Sequence, residues 1–206
     1  MRRYALVGLG KVEEDETIID ARMRGRKIGN ALSSICTSEK GVKLCSILLP
    51  YDAMGKELAT ELSDLSASFI EGLYSDNRYR TGKRVKNPAG NVKHISILLE
   101  ARDATVPALS METQEAVSAG RKIARGTFLS RDIVNSPHNI MNSHSLADTA
   151  KRLAEESDGL IQCNILEKED CEKRGMGAYL GVARGSETGP KFIHLVYKPR
   201  NRKDLL

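Results

Sequence analysis

Two rhythms of apolar residues alternate along this chain. Short unbroken apolar runs, bounded by turn residues, are followed by longer stretches in which apolar side chains return every three or four positions. The first rhythm predicts strands and the second predicts helices. Runs at 4–9 (YALVGL) and 42–50 (VKLCSILLP, closed by Pro50) read as buried strands, and 92–100 (VKHISILLE) as a third strand. Between them, Ile18, Ile19, Met23, Ile28, Ala31, Leu32 and Ile35 predict a helix over 16–35. Leu58, Leu62, Leu65, Phe69 and Leu73 predict another over 55–73. Strands alternating with helices imply an α/β layered domain with a largely parallel sheet.

The pattern then changes. Residues 111–134 read as one long helix, with Ala116, Ala119, Ile123, Phe128 and Val134 as a partial apolar stripe. Gly120 and Gly126 weaken it, but small residues there also admit a second helix at close range. The sequence NSPHN ends the helix, because the residue before a proline is disfavoured in the α region. A helix over 145–157 follows, with Asn142 or Ser143 as N-cap. After it come a strand at 160–166, a short polar helix at 167–175 ended by Gly175, and a short apolar helix or turn, MGAYLGVARGS. A strand at 191–199 closes at Pro199, and the charged RNRKDLL carries no fold of its own. No internal repeat interrupts this order.

Composition narrows the possibilities only a little. The 206 residues are 40% hydrophobic and 29% charged, as in an ordinary globular protein. Aromatics are 4% with no Trp, which argues against aromatic stacking platforms. A net charge of +5 permits weak attraction to polyanions without requiring it. Cys36, Cys45, Cys163 and Cys171 form no CxxC pair and read as free thiols in a reducing compartment. MRRYALVGLG has no signal-peptide layout, and no stretch approaches a membrane span, so an untargeted soluble chain is expected.

Candidate chemistry is sparse. GLGKVE at 8–13 follows a predicted strand, but Glu13 stands where a dinucleotide fingerprint needs its third glycine, and Glu14, Asp15 and Glu16 would repel a pyrophosphate. The loop 75–87 gathers Arg78, Arg80, Lys83, Arg84 and Lys86 around Tyr79; it reads as a solvated connection, or less readily as a phosphate-backbone contact. His94, His138, His144 and His194 show no HExxH, and Cys163 and Cys171 have no second pair, so no metal site assembles. RDIVNSPHNIMNS at 131–143 offers Ser136 or Ser143 as nucleophile, His138 or His144 as base, and Asp132 as orienter. It lacks the glycine-flanked elbow such a serine needs. The stretch reads instead as a turn in which Asn135 and Asn139 bond backbone groups and Pro137 fixes the bend.

Several segments together resemble a known family. RDIVNSPHN, with Leu146, Ala147 and Ala150 after it, then MGAYLGVA (Met176 to Ala183) and PKFIHLVYKP (Pro190 to Pro199), is similar to the leucyl (cytosol) aminopeptidases. YALVGLG and YSDNRYRTGK resemble segments of that family's N-terminal domain, the second in its plant-type members. Asn142–Ser143 replace a common Thr-Pro, and Arg184–Gly185 replace small residues. The resemblance implies an α/β fold in three parts. These are an incomplete macro-domain-like N-terminal α/β domain (1–105), a long connecting helix (106–135), and the first βα elements of the aminopeptidase catalytic domain (136–206). It further implies peptide substrates, hexameric assembly, a cytoplasmic location (plastid if a transit segment precedes Met1), and no membrane association. The family uses two divalent metals (Zn, Mn or Mg), held in motifs similar to G-K-G-x-x-x-D-S-G-G and N-T-D-A-E-G-R. Neither motif occurs in these residues. The expectation is therefore a chain truncated at both ends, with no catalytic, cofactor-binding or metal-ligating residue of its own, inactive alone. The rival expectation is a non-enzymatic interaction module, assembling with full-length subunits or binding nucleic acid through its basic loop. A macro-like ADP-ribose binder is disfavoured for want of a glycine-rich phosphate loop.

Overall fold

The computed structural model describes residues 4–8, 15–38, 43–50, 54, 57–85, 92–100 and 111–200. The chain divides into two compact units, Met1–Asp132 and Ile133–Leu206.

In the first unit, helix α1 (Ile18–Ser38) leads to strand β1 (Leu44–Pro50), helix α2 (Leu58–Gly72), a 3-10 turn at Gly82–Arg84, strand β2 (His94–Glu100) and helix α3 (Met111–Asn135). Strands β1 and β2 pair in parallel, Leu44 beside His94 through Pro50 beside Glu100, as the alternation of elements predicts. The first was expected to be buried. It is buried on one face only, where Ile47 and Leu49 enter the core; β2 is half-buried there at Ile97 and Leu99, and Leu48 and Leu98 of the opposite face are exposed. The core joins Ile28 and Cys36 of α1, Ile47 and Leu49 of β1, and Leu62, Leu65 and Phe69 of α2.

The run at 4–9 departs from expectation. Residues 4–8 form no strand, and Tyr4 and Leu6 are exposed. An apolar run signals the capacity to be buried, but a strand also needs a neighbour for its ladder. The described residues supply none here.

Helix α2 is the centre of this unit, buried on nearly every side. Its expected stripe of Leu62, Leu65 and Phe69 holds. The stripes expected for its neighbours hold only in part, at Ile28 and Leu32 of α1 and at Ala116 of α3. In α1, Ile18, Ile19 and Met23 are exposed, while Ala21, Arg24, Gly25, Gly29 and Ser33 are buried. In α3, Ile123 and Val134 are exposed and the buried face is Thr113, Gly120 and Ala124. Backbone contact explains both. A Cβ on Gly29 would lie 2.5 Å from the Leu65 carbonyl oxygen and 2.8 Å from the Phe69 nitrogen. A Cβ on Gly120 would lie 3.0 Å from the Ala67 nitrogen. Both helices approach α2 so closely that small residues, not large apolar ones, make the seam.

One charged cluster lies inside this packing. Arg24 donates through Nε to Glu61 Oε1 at 2.8 Å and through Nη2 to Glu61 Oε2 at 2.6 Å. It also pairs with Glu16. Glu61 is fully buried. The two carboxylates push the Arg24 guanidinium above its already high ordinary pKa, the Glu61 bond contributing most. Arg22 and Arg26 flank it, at 3.0 and 2.7 Å from the Asp64 carboxylate.

The second unit contains helix α4 (Ser143–Glu155), strand β3 (Ile161–Leu166), helices α5 (Lys168–Lys173) and α6 (Gly177–Ala183), and strand β4 (Phe192–Tyr197). Strands β3 and β4 are antiparallel, Ile161 beside Tyr197 through Leu166 beside Phe192. Local signals fix most of this unit. Asn142 Oδ1 accepts from the His144 and Ser145 backbone N–H groups, and Ser145 Oγ accepts from the Asn142 N–H, a reciprocal cap on α4. Glu167 and Asp170 make the same arrangement at α5. Gly175 takes φ +67° just past the end of α5, where the sequence predicts a helix stop.

Candidate functional site

The segment that raised a triad reading starts on the last turns of α3, which rest against the end of α2 and the loop after it. The Tyr74 ring meets Phe128 at 5.0 Å, and the Arg131 guanidinium lies 5.4 Å from the Tyr74 centroid. Arg131 Nη1 donates to the Glu71 carbonyl at 2.8 Å, and Thr127 Oγ1 donates to the Glu71 carboxylate at 2.7 Å. Tyr74 Oη donates to Asp132 Oδ1 at 2.7 Å. Arg78 Nη2 adds a bond to the Asp132 carbonyl at 3.0 Å. Arg78 also grips Asp76 bidentately, at 2.9 and 3.0 Å. That grip holds the Asp76 carboxyl below its usual range and pushes Arg78 further up.

These contacts settle what several candidate residues do. Asp132 accepts from a tyrosine and an arginine. Ser143 Oγ donates to the Gly189 carbonyl at 2.6 Å, whereas a nucleophilic serine would offer that proton to an imidazole. His138 and His144 are exposed, and Ser136 is half-buried. The bend is held by the Pro137 carbonyl, which accepts from Ile140 and Met141 N–H at 2.9 Å, and by the Asn142 cap. Asn139, expected to bond the turn, makes no side-chain hydrogen bond among the described residues. The basic loop is likewise divided. Arg78 is spent on internal contacts, Arg80 and Lys83 are exposed, and Lys86 lies outside the described residues. Of the GLGKVE turn, all but Gly8 lies outside them as well. Sequence reading missed Glu71, Tyr74 and Thr127 as members of this clamp, and nothing in their spacing advertises it.

Two surface hollows add no reactive pair. One, of about 520 Å³, is floored by Leu62, Phe69 and Ile97 and edged by Lys93 and Arg121, charged groups of one sign. The other, of about 330 Å³, lies in the second unit between Ser143, Tyr179 and Lys191. Lys191 there is paired with Glu167, and burial raises the Tyr179 hydroxyl pKa.

Residues 128–205 match the cytosol aminopeptidase family, catalytic domain. Over 97% of its length the chain is 35% identical to a probable cytosol aminopeptidase of Rippkaea orientalis and 35% identical to one of Gloeobacter violaceus. The chain belongs to the leucyl (cytosol) aminopeptidase family. It spans 36% and 38% of the lengths of those two relatives. A tomato leucine aminopeptidase variant superposes with TM-score 0.68 at 25% identity, over 95% of this chain and 36% of that one. A bottromycin maturation enzyme solved with manganese shares the fold, with TM-score 0.66 at 20% identity over 86% of this chain and 34% of that one. The likeness accords with an α/β chain made of parts of aminopeptidase domains.

Aminopeptidase chemistry in this family implies a metal pair. Among the described residues no three His, Cys, Asp or Glu side chains converge to hold an ion. The described donors do not by themselves assemble such a pair. No helix among the described residues is long and apolar enough to cross a membrane.

Proposed function

We propose that these residues serve a peptide-hydrolysing aminopeptidase subunit as scaffold rather than as catalyst. In this reading, 1–105 are part of a plant-type N-terminal α/β domain, 106–135 are the connecting helix, and 136–206 open the catalytic domain. The observation that carries it is the catalytic-domain match over 128–205. The clamp of Glu71, Tyr74 and Arg78 on the end of α3 adds to it, because it fastens those last turns to the end of α2 and the loop after it. The metals and the water they activate would be held by other residues of the subunit, in a cytoplasmic hexamer.

The 206 residues assayed by themselves release no 4-nitroaniline from leucine 4-nitroanilide with Mn²⁺, Zn²⁺ or Mg²⁺ added. Metal-dependent release that survives repurification would overturn the scaffold reading. The nucleic-acid alternative has less support, since Arg78 already serves Asp76 and Asp132.

A further inference from the structure

Two of the four cysteines meet inside the first unit. Cys36 lies in the last turn of α1 and Cys45 is the second residue of β1. Their sulfurs are 3.7 Å apart, with the Cys36 thiol donating to Cys45. A disulfide requires about 2.0 Å, so a small approach of the two side chains suffices. Both are free thiols in this structure. They differ in access. Cys36 is 5% exposed, whereas Cys45 is half-buried at the start of its strand. Cys163 on β3 and Cys171 in α5 are also free thiols, Cys163 half-buried and Cys171 as deeply buried as any residue.

We propose that Cys36 and Cys45 are a redox-responsive pair, which closes to an intramolecular disulfide on reaction with a low-molecular-weight disulfide such as glutathione disulfide. The more accessible Cys45 thiolate attacks one sulfur of glutathione disulfide. The S–S bond of glutathione disulfide breaks, and the departing glutathione thiolate takes up the proton that Cys45 lost. Cys36 then gives up its proton and attacks Cys45 Sγ. The mixed disulfide breaks, and the second glutathione thiolate takes the Cys36 proton. Two cysteine thiols are oxidised and one glutathione disulfide is reduced to two glutathiones. Burial foremost, and the neighbouring Cys45, push the Cys36 thiol up to about 12. Forming the Cys36 thiolate therefore opposes the second step. Once formed, the bond ties the end of α1 to the start of β1, two elements that share the core with α2.

The test is peptide mapping of the purified protein, incubated with glutathione disulfide under native conditions, alkylated and digested with trypsin without reduction. The expected product is residues 28–40 joined to residues 44–56, the fragments that contain Cys36 and Cys45. Its mass is about 2 Da below the sum of the two peptides, and dithiothreitol abolishes it. Replacing both Cys163 and Cys171 by Ser leaves the linked peptide in place, and Cys45→Ser removes it. The wild-type map decides the matter even where a variant fails to fold. A stable glutathione adduct on Cys45 with Cys36 still alkylatable would overturn the proposal. So would linkage of Cys36 to Cys163 or Cys171.

Discussion

The two units are held together by different means. In the first, helices α1 and α3 touch α2 at backbone distance through Gly29 and Gly120, and Leu62, Leu65 and Phe69 are almost wholly buried. Its internal charges are bidentate and desolvated, as at Arg24 and Glu61. In the second unit, the buried side chains are Ala147, Thr149, Ala150 and Cys171, all small. Val182, Tyr197 and Leu195 remain exposed, and order there comes from helix caps and a strand ladder. The first unit is thus specified by long-range packing and the second by short-range signals. Mutations in the first should cost far more.

The largest expected effect tests that contrast directly. Glu61→Ala leaves Arg24 as a buried cation with only Glu16 for a partner, and should cost about 3–5 kcal/mol. Hydrogen exchange under increasing urea should show α2 amides losing protection while α4 amides keep theirs. A loss shared equally by both helices would break the comparison. Gly29→Ala comes next, at about 1–3 kcal/mol, because its methyl group meets the Leu65 carbonyl and the Phe69 nitrogen. The paired control is Gly126→Ala, where nothing among the described residues lies within 4 Å. That change should stabilise α3 by about 0.5–1 kcal/mol.

Alkaline pH supplies the third. The Cys36 pKa is raised in the folded protein, from 9.0 to about 12. Its contribution is intact below pH 9 and lost as pH rises toward 12, because only the unfolded chain releases the proton readily. The loss should be on the order of 1 kcal/mol by pH 10. Denaturant titrations of wild type and Cys36→Ala should therefore converge as pH rises from 8 to 10, with Cys36→Ala showing the flatter profile.

Effects in the second unit should be smaller. Asn142→Ala removes the α4 cap and should cost about 1 kcal/mol, seen as faster exchange of the first-turn amides. At the low end, Val182→Ser should stay within about 0.5 kcal/mol, since Val182 is 84% exposed. A penalty above that, measured by the same exchange, would mean that the second unit has a core after all.

This difference also governs what could be read in advance. The caps at Asn142 and the stop at Gly175 are local chemistry, and the residues that perform them were legible. The α2 stripe was legible too, because a large apolar residue every third or fourth position has one consistent use. The seam of α1 was not, and that of α3 was legible only at Gly120, where a small residue admits a second helix. Ile18, Ile19, Ile123 and Val134 look like core residues, yet they are exposed because glycines on another face let the backbones meet. Glu61 gave a partial signal, as a charge within the Leu58–Leu62–Leu65 stripe, but its partner Arg24 lies 37 residues away on another helix. The triad reading of 131–143 was set aside for lack of a glycine elbow. The contacts that now account for Asp132 and Ser143 come from Tyr74, Arg78 and Gly189, none of them adjacent in sequence.

By itself the sequence determined the order of the elements from α1 onward, a cap at Asn142 or Ser143 and the family likeness around RDIVNSPHN. Each of these depends on residues within a few positions of one another. Tertiary structure decided which faces are buried, that YALVG pairs with no strand among the described residues, that Arg78 is an internal clamp, and that Cys36 faces Cys45. Those outcomes depend on how closely two backbones approach, a distance set by both partners at once, which neither segment encodes alone.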